Sequence, residues 1–301
     1  MKAVIFGASG QDGQYLAQVC KDRGVDVVLC SRSPGSWIQA DVADYSQVES
    51  VIRQYQPDYV FHLAANSTTR HDALFENHQT ISTGTLNILE LSQRHCPAAR
   101  IFLTGSGLQF KNNGTPISEH DEFDASSSYA VARIQSTYAA RYFRARGLKV
   151  YVGYLFHHES PLRKPSHVSK LIASAAARIS KGSNEVLELG DIHVEKEWTF
   201  AGDVTEGIWC LVNQENVFES TIGSGVTYSI ENWLAHCFSH VEKDWLDHVR
   251  IREGFVAEYN RLVSDPSTIF SLGWKPKVPI VDLAAMMVEA EVDIVTHKIN
   301  P

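Results

Sequence analysis

Short apolar runs alternate with amphipathic stretches through the first half of the chain. Lys2–Phe6, Val25–Cys30, Asp58–His62, Arg100–Thr104 and Lys149–Leu155 are rich in aliphatic and aromatic residues without a polar face, as in strands covered on both sides. Between them, apolar positions recur at helical spacing over Gln11–Arg23, Tyr45–Tyr55, Leu74–Arg94 and Tyr129–Arg146. Gly147 ends the last of these, because glycine accepts the left-handed conformation that closes a helix. Strand, helix, strand, helix in this order predicts an α/β protein with a parallel sheet.

After residue 156 the pattern loosens. Pro161 and Pro165 frame a polar turn before an Ala-rich helix over Val168–Lys181. A strand near Val186–Leu189, a helix at Val204–Val212, a turn at Gly223-Ser224-Gly225 and a helix from Glu231 to His240 follow. The expected division is residues 1–156 as a nucleotide-binding domain and 157–301 as mainly a smaller substrate-binding lobe, some of whose elements return to the first domain. No Gly/Ser-rich or charged linker separates them, so the two should pack tightly.

Directly after the first strand comes Gly7-Ala8-Ser9-Gly10-Gln11-Asp12-Gly13, opening a helix. Strand, glycine loop and helix N-terminus together make a cradle for a pyrophosphate: the glycines permit close backbone approach and the helix end offers unpaired N–H groups. That places the sheet in the Rossmann-like, doubly wound class and implies a dinucleotide. The second strand ends Cys30-Ser31-Arg32-Ser33, without the acidic residue that would accept from the adenosine ribose. Arg32 suits a 2′-phosphate, which favours NADP, with NAD possible. Asp41 and Val42 would edge the adenine pocket, and the small residues of Leu63-Ala64-Ala65 would let the cofactor approach.

Charge narrows the ligand class. Lys+Arg number 27 against 35 Asp+Glu, a net charge of −8, so nothing draws in nucleic acid or an anionic membrane. No apolar run is long enough for a membrane helix and no signal-peptide pattern precedes Gly7, which suggests a cytoplasmic protein. The 5 cysteines lack any C-x-x-C pair, against a disulfide framework or zinc cage. His236 and His240 have metal-compatible spacing but no carboxylate between them, and read as packing or surface residues.

Tyr129 and Arg133 lie one helical turn apart and project from one face. A phenol that exchanges a proton with a substrate oxygen during hydride transfer needs a neighbouring positive charge. Thr104 and Ser106, at the end of the preceding strand, could supply the hydroxyl that polarises that oxygen.

These residues carry a resemblance. The chain is similar over nearly its whole length to extended short-chain dehydrogenase/reductases, and among them to GDP-mannose 4,6-dehydratases and related 4-keto-6-deoxy-sugar reductases. The markers are Gly10-Gln11-Asp12-Gly13-Gln14-Tyr15-Leu16, Leu63-Ala64-Ala65-Asn66-Ser67, Leu155-Phe156-His157-His158-Glu159-Ser160-Pro161, Leu189-Gly190-Asp191 with Glu197-Trp198, and Leu272-Gly273-Trp274-Lys275-Pro276. The resemblance implies an enzyme acting at C4 of a nucleoside-diphosphate hexose. Its cofactor footprint would comprise Gly7, Gly10, Gln11, Asp12, Gly13, Ser31, Arg32, Asp41, Val42, the Leu63–Ser67 segment with Ala64, Ala65 and Ser67, then His78, Tyr129, Arg133, His158 and Arg163. Asn66, His157, Glu159, Lys170, Lys196 and Arg252 would face the substrate. It further implies a homodimer or homotetramer built through the helices at Leu74–Arg94 and Tyr129–Arg146.

Three departures accompany the likeness. Arg133 stands where the family carries Lys, and keeps the charge but cannot relay a proton. Gly105 and Gly107 stand where a dehydratase has Thr and Glu, so the carboxylate needed for elimination is missing, and a 4-keto reductase, an epimerase or a catalytically weak nucleotide-binding protein become alternatives. Glu119, Asp121 and Glu122 follow in a loop that reads as a solvated acidic cluster rather than a replacement base. Phe255 stands at the position of a diphosphate-binding Arg, which Arg252 could replace.

Overall fold

The computed structural model describes residues 1–299. All five expected strands form: β1 (Lys2–Phe6), β2 (Asp26–Ser31), β4 (Tyr59–His62), β5 (Arg100–Ser106) and β6 (Lys149–Leu155), with a short β3 (Ile38–Gln39) at the edge. The strand Glu219–Ile222, which the apolar pattern does not announce, completes a parallel sheet of 7 strands in the order Glu219–Ile222, β6, β5, β4, β1, β2, β3. Sequence order reverses between β1 and β4, and a crevice opens beyond the strand ends there.

Between the strands run α1 (Gln11–Asp22), α2 (Tyr45–Tyr55), α3 (Leu74–Asn77), α4 (Gly84–His95) and α5 (Ser128–Ala145). The helix expected over Leu74–Arg94 is instead interrupted by a π-helical stretch, His78–Thr83, between α3 and α4. It ends at Gly84, where a Cβ would lie 2.8 Å from Val42 and 3.3 Å from the His62 ring, so the helix is drawn against β4. Side chains of α2, α4 and α5 fill one face of the sheet.

The second half contributes α6 (Val168–Ser180), α7 (Ala201–Val212), α8 (Ile230–His240), α9 (Ser267–Ser271) and α10 (Ile280–Ile299). Helix α7 returns to the other face of the sheet beside α1, while α6, α8 and α10 make a separate core. Glu219 fastens the added strand: it accepts from Arg141 at 2.7 Å, from Arg144, and from the Tyr154 hydroxyl at 2.7 Å. The five cysteines are free. No helix among the described residues is long and apolar enough to cross a membrane.

Candidate active site

The glycine loop has the geometry its spacing predicts. Gly7 adopts φ 97°, and a Cβ there would sit 2.6 Å from the Ala64 backbone nitrogen, so the chain leaving β4 lies directly on the loop. A Cβ on Gly13 would meet the Gly7 carbonyl oxygen at 2.5 Å. The Gly10 N–H donates to that carbonyl at 3.1 Å, and Gly10 caps α1 with no side-chain bond. First-turn N–H groups therefore remain available to a ligand anion.

The side chains of Gln11 and Asp12 bond within the protein. Gln11 donates to the His158 carbonyl at 3.2 Å and accepts from the Ser160 hydroxyl at 2.8 Å. The Asp12 carboxylate lies 2.9 Å from His158 Nε2, while His158 Nδ1 faces the Phe156 carbonyl at 2.7 Å. Both ring nitrogens meet acceptors, an arrangement that suits the imidazolium. Burial works against that charge, but Asp12 outweighs it and holds the His158 pKa above its ordinary value. Burial likewise opposes the Asp12 charge, and His158 and Arg163 pull its pKa below the ordinary value.

At the Tyr129–Arg133 pair, Ser127 caps α5 by accepting from the Ala130 N–H, which sets Tyr129 in the first turn. Arg133 Nε donates to the Tyr129 hydroxyl at 3.1 Å, its guanidinium carbon lies 5.1 Å from the Tyr129 ring centroid, and Nη1 donates to the Thr104 carbonyl. Both side chains are buried. The Thr104 hydroxyl is spent on the His62 carbonyl at 3.0 Å. Ser106 differs: its oxygen accepts from the Leu108 N–H at 3.2 Å, leaving its own hydrogen free. Gln109 fixes it, accepting from the Ser106 N–H at 2.9 Å and donating to Thr137 at 3.1 Å. Below lies His62, which burial and then Arg133 push down to about 3, so it is neutral.

A cleft of about 420 Å³ brings these groups together, lined among others by Gly10, Gln11, Asp12, Leu63, Ala65, Ser67, Thr104, Ser106, Tyr129 and Arg133. From the second half it receives His157, His158, Arg163, Lys164, His167, Glu258 and Tyr259. Thr69, Leu108, Glu258, Tyr259 and Leu262 also line an adjoining hollow of about 680 Å³, together with Asn112, Asp124 and Arg261. The Tyr259 hydroxyl stands 3.2 Å from His157 Nε2, and His157 Nδ1 is buried without a partner. Arg163 donates to His167 Nδ1 at 3.0 Å; burial first, then Arg163, pushes His167 down to about 4, so it accepts as the neutral ring.

Several expected contacts lie elsewhere. Arg32 pairs with Glu76 at 2.8 Å, and Asn66, expected at the substrate, donates to the same carboxylate. Ser31 donates to Ser9 at 2.9 Å. Val42 is buried in the core, and neither it, Ala64, Asp41 nor the exposed His78 lines the cleft. Glu159 is buried, accepting from Ser169 at 2.7 Å and lying 3.1 Å from Arg163. Lys170 is consumed by Glu291 and the Pro161 carbonyl. Arg252 is exposed and outside both hollows, because its segment pairs with Leu187–Leu189 instead. Lys196 is buried 4.8 Å from the Trp198 ring centroid, and burial, offset by Glu159, pushes it down to about 8. Glu119 is no solvated loop residue: it is buried and accepts from the Thr221 N–H and the Thr268 hydroxyl.

A family model described as GDP-mannose 4,6 dehydratase matches residues 4–287. The chain belongs to that family. Membership makes it a nucleotide-sugar enzyme of the dehydratase and reductase class. It is 30% identical over 328 residues to GDP-mannose 4,6 dehydratase 1 of Arabidopsis thaliana, covering 98% of this chain and 91% of that one. Its fold superimposes on RMD from Pseudomonas aeruginosa complexed with NADPH at a TM-score of 0.85, with 20% identity, covering 97% and 99% of the two chains. A UDP-glucose 4-epimerase from Thermotoga maritima, solved with UDP-glucose, gives 0.85 at 20% identity, covering 98% and 100%.

Against that background Gly107 acquires a physical description. A Cβ built there would lie 2.8 Å from the Phe156 ring, and one on Gly105 would lie 2.5 Å from Tyr154. A carboxylate at either position requires an aromatic ring to move.

Proposed function

We propose that the protein is an NADP-dependent enzyme that exchanges hydride at C4 of a GDP-linked hexose, in the manner of a GDP-mannose 4,6-dehydratase. The observation that carries this reading is the buried Tyr129–Arg133 pair opening into the same cleft as the glycine loop. Gly7 and Gly13 let the loop pack against the backbone of Ala64 and of the loop itself, where a Cβ would clash, and α1 presents free N–H groups, which fits a dinucleotide pyrophosphate. When bound, the nicotinamide supplies the hydride acceptor and donor.

The chain's own residues manage the proton. Tyr129 accepts its hydrogen bond from Arg133, so its own hydroxyl hydrogen is free to face the sugar O4, and the guanidinium stabilises the oxygen while it carries negative charge. Ser106 donates to the same O4 and holds it in place. Arg163 and Lys164, with His167 neutral beside them, bring positive charge for phosphate groups, and the adjoining hollow offers room for the nucleotide. The same reading has the chain form a homodimer through α4 and α5, where Leu86, Tyr138 and Tyr142 are exposed; a monomer at every concentration in sedimentation equilibrium removes that part.

Gly107 favours a second reading, in which hydride exchange is not followed by loss of water and the enzyme is a 4-keto reductase or epimerase. Purified protein incubated with GDP-mannose and NADP and followed by mass spectrometry separates the two. A product lighter by one water is the expected result, whereas GDP-mannose recovered intact alongside turnover of a 4-keto sugar with NADPH selects the reductase.

A further inference from the structure

Beside the end of β2 a carboxylate stands where that strand supplies none. β2 runs into Ser31, Arg32 and Ser33, and the acidic residue that usually receives the ribose hydroxyls is missing there. Glu76 arrives from α3. Its Oε1 accepts from Arg32 Nη2 at 2.8 Å and its Oε2 from Asn66 Nδ2 at 2.8 Å, so both oxygens are fixed. Hydroxyls gather on the same strand end: Ser31 Oγ lies 2.9 Å from Ser9 Oγ and 3.2 Å from Ser33 Oγ.

The two charged groups favour different ligands. A guanidinium among hydroxyls binds a phosphate, and a carboxylate accepts from ribose hydroxyls but repels a phosphate dianion. Arg32 and Glu76 keep 60% and 41% of their side-chain surface exposed, and an ion pair so exposed is weak enough for an incoming phosphate to take the guanidinium.

We propose that Glu76 is the specificity-determining residue for the dinucleotide: it receives the 2′-hydroxyl of NAD, and a 2′-phosphate must displace it from Arg32 before NADP can bind. The inference rests on the reading of the cleft as a nicotinamide-dinucleotide site. It goes beyond that reading in making cofactor preference a balance between Arg32 and Glu76 rather than a property of Arg32 alone.

Fluorescence titration of the full chain with NADPH and with NADH tests it. Glu76→Gln keeps the shape and the contact with Asn66 while removing the charge. It should tighten NADPH binding about tenfold and weaken NADH binding by a similar factor, because charged hydrogen bonds are exchanged in opposite senses. Arg32→Ala, which leaves Glu76 in place, should move the NADPH:NADH ratio the other way. Equal changes in both affinities, or a ratio that stays within about twofold, would mean the pair only fastens α3 to β2, and overturns the proposal. If the unaltered chain binds neither dinucleotide, the reading of the cleft fails first and the inference falls with it.

Discussion

On the wall of the cleft proposed to hold the nucleotide, the nucleotide wall, the work is done by backbone and by side chains whose partners are already satisfied. Gly7 and Gly13 fit against backbone atoms of Ala64 and Gly7, and Asp12, Gln11, His158 and Ser160 close a network behind them. The wall proposed to hold the sugar, the sugar wall, is made otherwise. His157, Tyr259, Glu258 and Thr69 come from segments far apart in the chain, and Glu258 is an exposed carboxylate held by the Thr69 hydroxyl. A wall of fixed backbone accepts one ligand shape, while a wall of side chains can change its ligand by substitution. Within one fold, the nucleotide wall is thus constrained and the sugar wall is free to diverge.

Tyr129 stands on the seam between the walls, and its removal should have the largest effect. Tyr129→Phe keeps the ring against Arg133 but deletes the hydroxyl that Arg133 Nε holds. Hydride transfer, followed by nicotinamide absorbance, should slow on the order of a thousandfold, with NADPH affinity within about threefold of the unaltered chain. A rate loss under about tenfold would take the proton-transfer role away from Tyr129.

Gly13→Ala probes the nucleotide wall alone. The new methyl would press on the Gly7 carbonyl oxygen and the Ala8 Cα, at 2.5 and 2.7 Å, and neither is the end of a flexible side chain. Overpacking of this kind costs about 1–3 kcal/mol, so NADPH affinity should fall about 10–100-fold. Calorimetry with GDP-mannose should register a change of less than about twofold, since the sugar wall is untouched. Equal loss of both ligands would show that the two walls are not separable.

The same contrast explains what the sequence discloses. The glycine loop, the strands and the Tyr129–Arg133 pair depend on spacings within one loop, strand or helix turn, and each is recognisable from a few consecutive residues. Glu76 against Arg32 and Tyr259 against His157 are meetings across 44 and 102 residues, and no local pattern announces them. Lys170 reads as a free cation until Glu291 is found beside it. The strand Glu219–Ile222 is hidden for another reason: Ser220 and Thr221 are buried because their hydroxyls bond backbone carbonyls, so a polar segment crosses the core without an apolar signature.

The smallest effect expected is a dependence on pH, and it concerns the Asp12–His158 ion pair, which ties the glycine loop to the start of the proposed sugar wall. His158 has its pKa raised in the folded chain, so its contribution is complete below the ordinary imidazole value of 6.5 and fades as pH climbs through the raised value. Asp12 has its pKa lowered, so its contribution is complete above the ordinary carboxylate value of 3.8 and fades as pH drops through the lowered one. The pair therefore stabilises most between those two limits. His158→Asn should cost most in thermal unfolding near the acid side of neutrality. The penalty should shrink on moving well into the alkaline range, where His158 gives up the charge that pairs it with Asp12. A penalty that stays constant across that range would mean His158 is held as a neutral ring by its bond to the Phe156 carbonyl. Asp12 would then carry its charge alone, and the two walls would be joined by packing instead of by an ion pair.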